Sequence, residues 1–514
     1  MERCDVVVLG AGAAGAVVAA RASENPDLDV VLVEAGPDYE AASTLPDDLI
    51  DGHRNSLHDH DWDLRHQPAD DVDPVAFPRG RVTGGSTAVN TTIALRGIPA
   101  DYDHWASLGN PEWAWEAVLP ALCRLERDLD FGAEPHHGDA GPITIRRWRA
   151  EELVPTQAAF LEAATSFGHP ACADVNAPDA VGAGVMAMNK LGRLRISTAV
   201  GYLASARHRE NLTILSDHHA NRVVVEHGRA TGVELVAGDG SARTIEASLV
   251  IVACGAVHSP GVLVRSGIGA ADELARLAIE PVATMSGVGA NLSDHPALLV
   301  AMTPRHPEMT ADELPLVQTI TRYTSESSDV PLDVNIELIT RLPRPARRPD
   351  RAVLGLAASL EWVEGRGLIR QRSADPLDAP HIESGFGRHP LDLARNVAAY
   401  RDAIAIASQP ALADLIDEVV FPDPNRASVE QLTTLARRAS GSGYHPCGTV
   451  RMGPTDDPTA VVDQFGRCHG VDQLVVADAS IMPTVPRANT NLTSIMIGER
   501  IGEWIRTEPA RYGL

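Results

Sequence analysis

Three glycines open the chemistry of this chain. They stand in the run Gly10-Ala11-Gly12-Ala13-Ala14-Gly15, and an acid, Glu34, follows 19 residues after the last of them. Glycines so spaced let the chain turn tightly, bring backbone amides against a pyrophosphate, and pack a helix closely on a strand. The helix N-terminus then faces the phosphates. Glu34, with Ala35 beside it, would accept hydrogen bonds from ribose hydroxyls, which disfavours a 2′-phosphate. The chemistry implied is binding of FAD or NAD rather than NADP. Two histidine clusters also invite a reading. His58-Asp59-His60-Asp61 has no third ligand group at useful spacing and reads as a solvated loop near a site entrance. His136-His137-Gly138-Asp139 reads as a turn. No metal site is expected.

The elements around the glycines fit their task. Residues 4–9 (CDVVVL) form a β-branched run suited to a buried parallel strand, and a helical stretch starts at Gly15. A second strand spans 29–33 and ends at Glu34. The 514 residues carry a net charge of −25, which argues against nucleic acid or an anionic membrane as a partner. Of the 44 basic residues only Lys190 is a lysine, so Schiff-base chemistry has almost no side chain to use. The six cysteines form no CxxC pair, and no apolar run approaches 18 residues. A cytoplasmic protein without a membrane span is expected, since the first apolar run leads straight into the glycine turn rather than a leader.

Further motifs choose between the cofactors. Gly80-Arg81-Val-Thr-Gly84-Gly85-Ser86-Thr-Ala-Val89-Asn90 places flexible backbone and small hydroxyls on a loop. Gly255-Ala-Val-His-Ser259-Pro260 follows a strand at 249–253. Near the C-terminus stand Tyr444-His445-Pro-Cys447-Gly448-Thr449, Asp478-Ala479-Ser-Ile-Met-Pro483 and Asn489-Thr490-Asn491. In these segments the chain resembles the glucose–methanol–choline (GMC) flavoprotein oxidoreductases, from about Cys4 to Ile505. The resemblance implies an α/β fold: a Rossmann-like FAD domain of discontinuous segments, and an α+β substrate domain on an antiparallel sheet. By position it puts Arg81, Gly84, Gly85, Ser86 and Asn90 near the flavin and pyrophosphate. Val223 would meet the adenine through its backbone. Asp478 and Ala479 would lie at the ribityl–phosphate part, and Asn491 and Thr493 near the pyrimidine edge. The segment 287–295 looks like the connection into the substrate domain. Val89 stands where some members carry a histidine bonded to FAD, so a non-covalent flavin is expected. Thr83 replaces a more usual larger apolar residue.

The resemblance also names a catalytic pair, His445 and Asn489. A histidine can remove the hydroxyl proton as a hydride leaves the carbon, and an amide can hold the substrate oxygen. Cys447 has no acyl-transfer partner and reads as a packing or flavin-adjacent residue. The expected activity is oxidation of a CH–OH group of a sugar, glycoside or primary alcohol, with oxygen or another electron acceptor taking the electrons. The alternatives are a quinone- or mycofactocin-coupled dehydrogenase, and a non-redox flavin lyase of the hydroxynitrile lyase or decarboxylase type. Aromatic residues make up 4% of the chain, which weighs slightly against a choline-like substrate. The expected FAD segments are 1–150, 196–295 and 438–514. The substrate domain takes 151–195 and 296–437, with strand-like runs at 298–303, 332–339 and 354–362 and a helix at 390–408. The Arg–Pro tract 341–351 reads as a surface loop.

Overall fold

The computed structural model describes residues 2–326, 328–343, 351–422 and 428–514. Most of the Arg–Pro tract at 341–351 lies outside the described residues.

Strand Glu2–Leu9 is buried on both faces from Val6 to Leu9, as its unbroken β-branched run demands. It pairs in parallel with Val30–Val33 on one side and Ala242–Val252 on the other. Leu212–Leu215 extends the sheet beyond Val30–Val33, and Leu474–Val476 extends it beyond the C-terminal half of Ala242–Val252. An antiparallel ribbon of His218–Glu226 and Arg229–Ala237 joins the other half of that strand. The registers align Leu215, Val33, Leu9, Val252 and Val476 at one edge. The residues just past that edge are Glu34, Gly10, Ala253 and the Ala477-Asp478 pair. Ligands of open parallel sheets bind off this carboxyl end.

The second sheet runs Ile416–Phe421, Pro296–Pro304, Leu354–Leu360, Val334–Ile339, Thr319–Tyr323, Gly182–Val185 and Ala171–Cys172. All its pairs are antiparallel except the last. Helix Pro390–Ala407 packs across Leu354–Leu360 and Pro296–Pro304 and covers one face. Alternation decides what the other face carries. Val334, Ile336 and Leu338 are fully buried in the core, as are Leu354, Leu356, Ala358 and Leu360. Asn335, Glu337 and Ile339 therefore share the opposite face with Ser359 and Glu361, through the pairings Asn335↔Ser359 and Glu337↔Ala357. The short strand Gly441–Ser442 pairs with Pro296–Pro304, so a piece of the segment assigned by sequence to the FAD domain lies on the second sheet. No helix of the described residues is long and apolar enough to cross a membrane.

Candidate functional site

A cavity of about 380 Å³ runs from the carboxyl end of the parallel sheet to the free face of the antiparallel sheet. At the first end lies the glycine turn. Gly10 has φ +99°, which an L side chain rarely adopts, and its amide donates to Val33 O. A Cβ on Gly15 would lie 1.9 Å from the Gly10 carbonyl oxygen, so only glycine lets this helix start there. Gly12, Ala13 and Ala14 line the cavity at the helix start.

Glu34 lines the same end and is buried. Its two carboxylate oxygens accept from the amides of Ala11 and Gly36 at 2.9 Å each. Burial pushes its pKa up to about 7 against the pull of those amides. Ala35 lies beside it on the wall. Beyond stand Trp62, His219 and His258, with the Trp62 and His258 rings 4.4 Å apart. Burial pushes His219 down to about 4 and His258 to about 3, so both rings are neutral and can face a flat base. The Arg81 guanidinium lies 5.0 Å over the Trp62 ring.

The middle of the cavity is built by three element ends. Gly85, Ser86 and Asn90 line it from the loop at 80–90. Gly84, with φ +99°, braces that loop by donating to Ala11 O. Asp478 and Ala479 line it past the strand Leu474–Val476, and Asp478 accepts from the Gly255 amide at 2.8 Å and the Ser259 hydroxyl at 2.5 Å. Helix Thr490–Thr507 brings its N-terminus to the wall with Thr490, Asn491 and Ser494. Five expected residues, Gly15, Arg81, Gly84, Val223 and Thr493, lie off the wall. The Val223 amide donates to Ser266 Oγ at 2.8 Å, and the ribbon's neighbouring His219 and Ala220 face the cavity instead. Thr493 is fully buried, with its hydroxyl 3.0 Å from that of Tyr102.

His445 and Asn489 meet where the two sheets face each other. The Asn489 amide nitrogen donates to His445 Nε2 at 2.9 Å. On the other side of the ring, His445 Nδ1 lies 2.9 Å from His295 Nδ1. With Nε2 an acceptor, the His445 proton sits on Nδ1 and His295 accepts it. Asp294 holds the loop: it accepts from the amides of His445 at 2.9 Å and His295 at 2.8 Å, and from the Ser442 hydroxyl. Burial, then His295 and Arg79, hold His445 well below the usual histidine range. Burial also pushes His295 down to about 3. Both rings are neutral at neutral pH, so a lone pair is free to take a proton. Cys447 is fully buried and its thiol is pushed up by burial, which suits packing rather than nucleophilic attack.

Sequence reasoning had treated His295 as part of a connecting segment and had not singled out Glu337 or Glu361. Only the sheet pairing shows that these three share the site. The two histidine clusters are resolved as well. His60 bonds Asp48 at 2.8 Å and the Tyr39 hydroxyl at 3.0 Å. His137 is buried between Glu126 at 2.7 Å and Asp174 at 2.9 Å, with Asp128 nearby. These groups bring ligand atoms within 4.8 Å of one another. Arg147 pairs with Asp128 and Asp174, and Arg96 with Glu126, so the cluster has the make-up of a charge-balanced ion network.

A glycine turn and a buried acid past the second strand suit a dinucleotide, and a histidine–amide pair lies across the same cavity. The family models for GMC oxidoreductases match residues 4–297 and 364–498. The 5-(hydroxymethyl)furfural oxidase of a Methylovorus species is 34% identical, over 98% of this chain and 99% of that one. Choline oxidase of Arthrobacter globiformis is 34% identical, over 98% and 95%. Pyridoxine 4-oxidase from Mesorbium loti superposes with a TM-score of 0.88 at 28% identity, over 97% and 98%. The chain belongs to the GMC oxidoreductase family and is an oxidoreductase acting on CH–OH groups.

Proposed function

We propose that this protein oxidises a small primary alcohol to the aldehyde, with His445 as the base, Asn489 as the oxygen-holding group and FAD held without a covalent bond. The observation that carries this reading is the 2.9 Å contact of Asn489 with His445 Nε2 on the wall of the shared cavity. Bound in the cavity, FAD supplies the acceptor for the hydride that leaves the alcohol carbon. The chain supplies the rest. A substrate hydroxyl entering between the two side chains replaces the Asn489–His445 contact with one to each of them. His445 Nε2 then takes the hydroxyl proton, and the Asn489 amide donates to the oxygen as negative charge gathers there. The proton already on His445 Nδ1, held by His295, keeps the lone pair on the reacting side.

The cofactor's binding groups follow from the wall. The amides of the glycine turn and the start of the following helix suit the pyrophosphate. Glu34 has lone pairs to spare for ribose hydroxyls, and the neutral rings of Trp62, His219 and His258 suit a base. The Val89 side chain has no heteroatom to bond a flavin. Leu316, Val317, Ile320 and Ile339 make part of the substrate end aliphatic, which favours a small alcohol over a sugar ring.

The test is to purify the yellow protein, remove oxygen and add alcohols. Bleaching of the flavin by primary alcohols with aldehyde formed supports the reading; lyase turnover without bleaching overturns it. Admitting air then separates acceptors: rapid recolouring with peroxide marks an oxidase, slow recolouring a dehydrogenase. Acid precipitation that leaves all flavin in the supernatant supports the non-covalent cofactor.

A further inference from the structure

The substrate end of the cavity has an excess of hydrogen-bond acceptors. Glu337, on the strand Val334–Ile339, and Glu361, one residue past the end of Leu354–Leu360, line it with Asn335 and Ser359. Glu361 is 3% exposed, and its Oε2 has no hydrogen-bond donor among the described residues. Asn335 Oδ1 is buried and equally without a donor. No ion pair to Glu337 is present among the described residues. Arg322, whose charge acts on Glu361, donates to the carbonyls of Val175 at 2.6 Å and Arg487 at 2.7 Å rather than to the two acids. The His295 ring approaches Glu361 Oε2 at 3.5 Å but is neutral.

A buried acceptor without a donor costs about 1–3 kcal/mol, and more when it is charged. One buried carboxylate in that condition, with the Glu337 carboxylate facing the same cavity, calls for a ligand that brings donors and positive charge together. A polyol brings an acceptor with every donor and no charge. A quaternary ammonium brings charge but no N–H, and it seeks aromatic faces. The neighbouring wall is Leu316, Val317, Ile320 and Ile339. A protonated primary or secondary amine on an aliphatic stem meets both demands.

We propose that Glu337, Glu361 and Asn335 form an ammonium-binding subsite, so that the alcohol oxidised at His445 is an amino alcohol with a primary or secondary amine on a short aliphatic spacer. This rests on the reading of the site as a centre of alcohol oxidation. Glu361 sets the spacer: its Oε2 is one contact from His295, which is one contact from His445. Burial pushes Glu361 up to about 8 against the pull of Arg322, with repulsion from Glu337 adding to the rise, and burial pushes Glu337 up to about 7. An ammonium group placed between them would restore both to carboxylates.

The test uses the flavin-loaded protein with three alcohols: aminopentanol, its uncharged counterpart hexanol, and choline. Hydrogen bonds to charged groups contribute about 1.5–3 kcal/mol, so kcat/KM for aminopentanol is expected about 10- to 10²-fold above that for hexanol. In a Glu337→Gln, Glu361→Gln double variant with normal flavin content, that ratio is expected to fall to about threefold or less. Pentylamine, which cannot be oxidised as an alcohol, is expected to raise the melting temperature of the wild-type protein and not of the double variant. Hexanol or choline oxidised as well as aminopentanol overturns the subsite and leaves alcohol oxidation standing, as does a preference that survives both substitutions. Pentylamine binding that depends on the two acids, with no flavin bleaching by any alcohol, supports the subsite and overturns alcohol oxidation.

Discussion

Replacing His295 separates a base that is merely present from one that is held in the right tautomer. His295 accepts the His445 Nδ1 proton at 2.9 Å in a buried setting. A leucine there would leave that donor without a partner, at a cost of about 1–3 kcal/mol. The cost falls on the tautomer with its lone pair toward the substrate, and it converts to about 5- to 150-fold in the fraction of competent enzyme. The limiting rate of anaerobic flavin reduction by a primary alcohol is therefore expected to drop by about that factor in His295→Leu, with KM little changed. Asparagine places an amide oxygen near the position of the imidazole Nδ1, so His295→Asn is expected to recover most of the loss. Stopped-flow absorbance of the flavin reads both variants. Leucine and asparagine variants slowed alike, or a leucine variant as fast as the wild type, would refute the tautomer argument.

Three further outcomes follow from the same geometry. Gly15→Ala is expected to yield colourless protein, because its Cβ would strike the Gly10 carbonyl; the ratio of flavin to protein absorbance measures this. Because His445 is held well below 6.5 and must be unprotonated to act, the limiting rate of flavin reduction is expected to be flat at neutral pH and to fall only below pH 6.5. An acid limb centred above that value would contradict it. His137 is held above its ordinary pKa: burial opposes its charge, but the bonds to Asp174 and Glu126 outweigh it. Its contribution is therefore fully present below about pH 6.5 and lost as pH rises through the raised value. His137→Phe, which breaks a buried network, is expected to cost about 3–5 kcal/mol at pH 6 by denaturant unfolding, with the gap to wild type narrowing toward pH 9.

The sequence made the cofactor end legible because its signals are local. Gly10 to Gly15, strand 4–9 and Glu34 lie within one strand–helix–strand unit, and the structure assembles them in that order. The strand runs at 298–303, 332–339 and 354–362 appear as Pro296–Pro304, Val334–Ile339 and Leu354–Leu360, and the helix at 390–408 as Pro390–Ala407. What stayed hidden depends on registers between distant segments. The alternation Val334-Asn335-Ile336-Glu337-Leu338 does set an acid on one face of its strand. That Glu361 joins it requires the pairing Asn335↔Ser359 between two separate strands. His295 joins His445 only because the strand after Pro296 pairs with Gly441–Ser442. The Val223 amide is taken by Ser266 because the helix Gly255–Arg265 ends against the ribbon, a docking that no local pattern announces.

The central claim is that His445 acts as the base in alcohol oxidation. The most direct measurement is anaerobic flavin reduction by a primary alcohol in the wild type and in His445→Ala, both fully loaded with flavin. The account predicts bleaching in the wild type and a rate lower by about 10²–10⁴-fold in the variant. A variant that bleaches at the wild-type rate would contradict it.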